Sequence, residues 1–240
     1  MKIISVRTGF ASDHSSTSYE FLAVDQPLGK EARAAVASLS SRAVPTDRRV
    51  SFIYHAEGYD IPNGWLPLMK DYYDVMYSES YDWWFLAMAF PLPPKQQEEI
   101  LQYEFTGINE LGVYISIYGE RVIVGIHCCL DFGVYALKDW DLYDGYGYDG
   151  DYGEDDIFAP DFPSAVTKDP LLLLLARIRE QLKEGDYRAL YEVWKKYGYD
   201  VDENEEDDGR KEKEAPSIPE ERDTETEVIA DFAELLATLY

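Results

Sequence analysis

The sequence predicts an α+β fold: a mixed sheet of four to five strands related to the ferredoxin-like pattern, followed by a C-terminal helical pair. Three observations carry this. Segments of period two and period 3.6 follow one another in the order β-α-β-α-β-α-β-β, which asks for helices layered over one face of a sheet. The run Trp83 to Phe90 is almost wholly apolar and of strand length, so it belongs in the middle of the sheet, covered on both faces. The stretch "GVYISIYGERVIVGIHCCL" holds two alternating runs joined at Gly119-Glu120, with glycine at the first turn position as a type II′ hairpin requires.

Taken in order, residues 1–18 begin with a short apolar run that passes into a loop rich in Gly, Ser, Thr and Asp. Tyr19 to Val24 reads as the first strand, and Leu28, Ala32, Val36 and Leu39 give a modest helical stripe. Val50, Phe52 and Tyr54 alternate in a second strand. Trp65, Met69, Tyr72, Tyr73 and Met76 share one face at helical spacing, predicting a helix that runs up to the central strand. Pro93-Pro94 starts a third, more polar helix ahead of the hairpin.

Beyond the hairpin, residues 139–162 form an acidic loop rich in Tyr and Gly, with no apolar period. Asp169-Pro170 supplies an N-cap and first helical position for a stripe of Leu171, Leu172, Leu174, Leu175, Ile178 and Leu182. Gly185-Asp186 ends that helix and opens its partner, on which Tyr187, Leu190, Tyr191 and Trp194 share a face. The organisation that follows is an α+β domain over 1–198, a disordered acidic linker over 199–223, and an amphipathic helix over 224–240. Docking of that helix on its own body is the expected arrangement, since an exposed stripe of this kind invites aggregation.

The 240-residue chain has a formal charge of −25. Eight acids and no Lys or Arg lie between Asp139 and Asp156, and thirteen acids face four bases between Asp200 and Glu225, so these stretches carry −17 of the total. Such a balance argues against nucleic acid, whose backbone needs clustered Lys and Arg, and against an anionic membrane surface. No stretch approaches the ~18 apolar residues of a membrane span. Cys128 and Cys129 are adjacent in a strand and point to opposite faces, which disfavours a bridge between them and fits a reducing cytoplasm.

Several strings extend this reading. "YEFLAVDQPL", "LSSRA", "IYHAEG", "LMKDYYDVMYSESYDWWFLAMAFPLP" and "LLARIREQLKEGDYRALYEVW" resemble a broad family of uncharacterised bacterial proteins. Members share a Y-E-F-x-A-x-D-x-P-L start, an L-S-S-R-A segment, an L-M-x-x-Y-Y-D helix and a G-D-Y-R-A-L-Y-x-x-W helical pair. The resemblance spans roughly Tyr19 to Phe90 and Leu171 to Trp194 and implies the domain but no activity. The opening "RTGFASDHSSTSYEF" is similar to the R-x-G-F-x-S-N-S-S-S-x-S-F start of many small bacterial and phage proteins, with Asp13-His14 where those carry Asn-Ser.

The candidate chemistry divides into two classes. Tyr143, Tyr146, Tyr148 and Tyr152, interleaved with acids, and Phe232 and Leu236 on the last helix are candidate binding residues for a protein partner with a basic surface. The alternative is a hydrolase using Asp13, His14, Ser15 and Ser16, although residues one apart cannot converge as a triad among themselves. His14, His55, His127 and Cys128 lack H-x-x-x-H or C-x-x-C spacing, and the acidic loop misses the calcium-loop register, so no metal or cofactor is expected. The chain therefore reads as an interaction or adaptor module rather than an enzyme.

Overall fold

The computed structural model describes residues 17–55, 60–80, 83–129, 169–198, 215–220, 222 and 226–237. Within these, a seven-stranded sheet is built from β1 (Thr17–Leu22), β2 (Arg49–Tyr54), β3 (Val75–Ser80), β4 (Trp83–Pro91), β5 (Phe105–Thr106), β6 (Gly112–Tyr118) and β7 (Arg121–Cys129). The helices are α1 (Lys30–Ala37), α2 (Leu66–Asp71), α3 (Pro94–Ile100), α4 (Pro170–Lys183), α5 (Arg188–Tyr197) and α6 (Thr226–Ala237). The strand order is β2-β1-β3-β4-β7-β6-β5, and every neighbouring pair is antiparallel.

This corrects the expected architecture in three respects. The sheet is larger than four to five strands, wholly antiparallel rather than mixed, and covered by helices on both faces rather than one. The α+β class itself stands. A helix between two strands resembles a parallel crossover, but here the chain reverses after α1 and lays β2 antiparallel on β1. The extra strands have different origins. Met76 is in phase with the helical stripe, yet α2 stops at Asp71 and Met76 lies in β3 opposite Ala87 of β4. Val75 and Tyr77 face one core and Met76 the other, so the segment is apolar on both sides and shows no alternation. β5 has two residues, too few to leave a period.

The central strand sorts the two cores. Trp84, Leu86, Met88 and Phe90 of β4 pack beneath α4, α5 and α6, with Leu175, Ile178, Val193, Val228 and Phe232 among their neighbours in that core. Ala87 and Ala89 face the other side, where Phe21, Phe52, Met69 and Tyr73 fill the space under α1 and α2. The hairpin turns at Gly119-Glu120 as its sequence requires, with Gly119 at φ 64°. Asp169 caps α4 by accepting from Leu171 N at 3.0 Å and Leu172 N at 3.1 Å. Of the stretch read as a linker, residues 215–220 and 222 are described. There Ser217 O accepts from Tyr103 Oη at 3.0 Å, and Arg222 donates to Glu184 O and Gly185 O.

A charged clamp ties the two faces together at one end of the sheet. Arg179 of α4 is fully buried. Its Nε donates to Ala89 O at 2.7 Å, its Nη1 to Asp25 at 2.9 Å, and its Nη2 lies 3.7 Å from Asp74. Asp74 also accepts from Val24 N and Asp25 N, and it pairs with Arg121 of β7 at 3.1 Å. Arg121 in turn donates to Met69 O and Tyr73 O, satisfying carbonyls at the C-terminal end of α2. Among the described residues, no helix is long and apolar enough to cross a membrane.

Candidate functional site

On the α2 side, the half of the sheet formed by β4, β7 and β6 carries a cleft of about 360 Å³. Alternation along the strands supplies its floor: Phe85 from β4, Ile123, Gly125 and His127 from β7, Tyr114 and Ser116 from β6. Register brings Phe85 opposite His127, Gly125 opposite Tyr114, and Ile123 opposite Ser116. Trp65 and Leu66 at the start of α2 form one wall, with the Trp65 ring 4.7 Å from that of Phe85. Gly125 is required here by close approach. A Cβ at that position would meet Phe85 Cζ at 2.4 Å, so the missing side chain is what lets the Phe85 ring lie across the strand.

The rim opposite Trp65 is a strained turn. Asn109 and Glu110 both have positive φ, 54° and 62°, a conformation that non-glycine residues seldom adopt. The surroundings hold it in place. A Cβ on Gly107 would meet Tyr197 O at 2.6 Å, and one on Gly112, at φ 144°, would meet Phe105 O at 2.4 Å. The turn aims Glu110 O into the cleft, where His127 Nδ1 donates to it at 3.1 Å and Tyr114 Oη donates to it as well. Because the carbonyl can only accept, Nδ1 bears the proton, and His127 Nε2 is left as an acceptor in the neutral ring.

Rings surround that imidazole. Trp83 lies 5.1 Å, Phe85 6.1 Å and Tyr114 6.5 Å from it, centroid to centroid. Burial pulls the His127 pKa below its ordinary value, while the hydrogen bond to Glu110 O and the Glu110 carboxylate pull the other way and lose. Burial also pushes the Tyr114 phenol up; a hydrogen bond with Thr106 opposes this and the Glu110 charge adds to it. The described lining thus holds one carboxylate, one neutral imidazole, two hydroxyls and no Lys or Arg. The same face holds one cation over a ring nearby, Lys70 Nζ at 4.9 Å from the Tyr118 centroid.

A second polar group lies on the opposite face, within the helical layer. Glu20 is buried and accepts from Ser51 Oγ at 2.5 Å, with Arg49 at 3.4 Å, and Tyr77 Oη donates to Asp169 at 3.0 Å. The next row across the sheet is Ser18, Glu79, Trp84 and Cys128, all buried. Among the described residues, Ser18 Oγ and Trp84 Nε1 have no hydrogen-bond partner. No described group of three His, Cys, Asp or Glu side chains is placed to hold a metal ion. His55 follows β2, four strands from His127 in β7, or about 19 Å at ordinary strand spacing, so these two do not share a site.

Of the residues singled out from sequence, Asp13, His14, Ser15, Ser16, Tyr143, Tyr146, Tyr148 and Tyr152 lie outside the described residues. Phe232 and Leu236 are buried on α6, in the core shared with α4 and α5. The cleft residues went unrecognised as a group. Trp65 read as one member of a helical stripe, and Phe85 and Tyr114 as ordinary strand positions. The isolated Gly125 was the available signal, since a glycine inside a strand marks a bulge or a close approach. No protein-family model, no curated protein and no solved structure matches this chain.

Proposed function

We propose that this chain is a protein-interaction module whose partner presents a basic surface. The observation that carries the reading is the cleft: open, walled by Trp65, Phe85 and Tyr114, and bearing Glu110 as the one charged group among its described lining residues. Aromatic side chains in a preformed concavity are the residues that dominate binding energy at interfaces. The formal charge of −25 favours encounter with a basic surface over an acidic one. The burial of Cys128 in the core suits the reducing cytoplasm to which we assign the module.

Affinity capture with the wild type and with a Trp65→Ala/Tyr114→Ala double variant tests the reading. A basic protein that the wild type retains and the folded double variant loses, and that re-forms a complex with the wild type from purified components, supports it. Equal retention by both would place any binding elsewhere. Failure to reconstitute a complex from purified components counts against the reading altogether.

A further inference from the structure

We infer that the cleft takes the guanidinium group of an arginine side chain presented by the partner, stacked on Trp65 and Tyr114 and hydrogen-bonded at its edge to Glu110, Ser116 and His127. The inference rests on the proposed partner binding and names the chemistry of its contact.

Size is the first argument. A volume of about 360 Å³ is at the small end for a ligand pocket and suits one long side chain rather than an extended segment. Charge is the second. The described lining carries one carboxylate and no cation, so an entering anion would meet Glu110 without a compensating group and an entering cation would be paired.

The third argument separates arginine from other cations. A quaternary or methylated ammonium needs aromatic faces alone, because it has few or no N–H groups to satisfy. This cleft has aromatic faces and, beside them, three acceptors: the Glu110 carboxylate, Ser116 Oγ and the Nε2 that the tautomer of His127 leaves unprotonated. Two of the described lining donors are committed already. Tyr114 Oη and His127 Nδ1 both donate to Glu110 O, so they do not compete for an incoming donor. A planar group with five N–H donors around its edge and a flat face for stacking matches that inventory, and a lysine ammonium matches only its charge.

The fourth argument is rigidity. The Gly107–Gly112 turn is packed against Tyr197 and Phe105, and Glu110 O is fixed by two donors. A rim ordered before binding lowers the entropy cost of holding a flexible arginine.

The test uses the purified full chain and three short blocked peptides alike except for a central arginine, citrulline or lysine. Citrulline keeps the shape and loses the charge. Binding is read from amide signals of Gly125 and His127 and from the Trp65 indole signal during titration. The arginine peptide is expected to give saturable shifts, with lysine and citrulline each weaker by about tenfold, which corresponds to one well-placed charged contact. Glu110→Gln should weaken the arginine peptide by a similar factor and leave citrulline unchanged. Gly125→Ala, which drives the Phe85 ring from its place, should abolish the response in a protein that remains folded. Equal binding of arginine and citrulline, stronger binding of lysine, or no saturable response would each overturn the inference. If the arginine peptide fails while a purified partner still binds in a Trp65-dependent way, the guanidinium contact falls and the interaction module stands. If the arginine peptide binds while capture of the partner ignores Trp65, the module reading falls and the guanidinium site stands.

Discussion

Removing Arg179 is the sharpest test of how α4 is held to the sheet. The side chain is fully buried, and four oxygen-bearing groups depend on it: Ala89 O, the Asp25 carboxylate, the Glu180 carboxylate (which also keeps Lys183) and, more distantly, Asp74. Breaking a buried ion pair by deleting one partner typically costs about 3–5 kcal/mol, because the remaining charge loses its compensation. Here the low end applies. Asp74 keeps Arg121 at 3.1 Å and two backbone donors, and the Asp25 side chain is 42% exposed and able to turn to water. The irreducible losses are the donor to Ala89 O and the packing of the aliphatic stem. Arg179→Ala is therefore expected to cost about 3 kcal/mol, or roughly 6–12 °C in melting temperature for a domain of this size. Arg179→Met, which refills the volume, should recover part of that loss.

Urea and thermal unfolding give the readout, and acid supplies an internal control. Burial alone would raise the Asp25 pKa, but the Arg179 hydrogen bonds and the charges of Arg179, Lys183 and Arg121 outweigh it and hold the carboxyl below its ordinary 3.8. A depressed carboxylate pKa contributes stability that is present above 3.8 and lost as pH falls through the folded value. The gap between wild type and Arg179→Ala should narrow over that window. A variant within about 0.5 kcal/mol of wild type at neutral pH would refute the clamp, since that is the range of a surface substitution.

Four further outcomes are expected. Trp84→Ala, at a side chain 2% exposed in the helical-layer core, should cost about 3–5 kcal/mol by thermal unfolding; a near-neutral result would mean that this face is not a packed core. Phe232→Ala should cost about as much, because the side chain is fully buried against its own body; unchanged stability with loss of an oligomer would make α6 a recognition helix instead. His127, whose folded pKa lies below 6.5, should make stability fall as pH drops from about 7 toward 5.5, since the unfolded chain takes up the proton first; His127→Gln should flatten that slope, and equal slopes would exclude it as the cause. Arg121→Met should broaden or shift the Trp65 indole signal through α2; an unmoved signal in a destabilised variant would show that α2 is placed by its own packing.

What the sequence revealed follows from which residues faced water. The edge strand β2 has one buried face, and Val50 and Phe52 alternate visibly with Arg49 and Ser51. The hairpin β6–β7 carried a turn glycine, and the central strand was legible from length and composition. β3 was not, because a doubly buried strand and a buried helix differ little over six residues, and Met76 happened to extend the helical phase. Arg179 was illegible for another reason. A charged residue one position past Ile178 reads as the solvated flank of a stripe, and its partner Asp25 lies 154 positions away. The cleft was half legible. Gly125 and Asn109 are residue types that mark close approach and left-handed backbone, but Glu110 at φ 62° carries no such mark.

The two faces divide the work, and the clamp explains how one constrains the other. Three helices cover the face beneath Trp84, and the residues there are buried and committed to packing. On the other face α1 and α2 share a core with Phe21, Phe52, Ala87 and Ala89, while Tyr114, Ser116 and His127 remain only half-buried. Concavity arises where α2 ends its cover, with Trp65 standing at that border beside Phe85. The orientation of α2 is not set by its own six residues, which are too few to be stable alone. It is set by Leu68 and Met69 in the core and by Arg121, which takes the carbonyls of Met69 and Tyr73. Arg121 is held by Asp74, and Asp74 also faces Arg179 from the helical layer. The wall of the cleft is thus fixed from the opposite side of the sheet through two arginines and one aspartate. Such a site is preorganised by the charges that close the fold, and a partner entering it meets aromatic faces already in place.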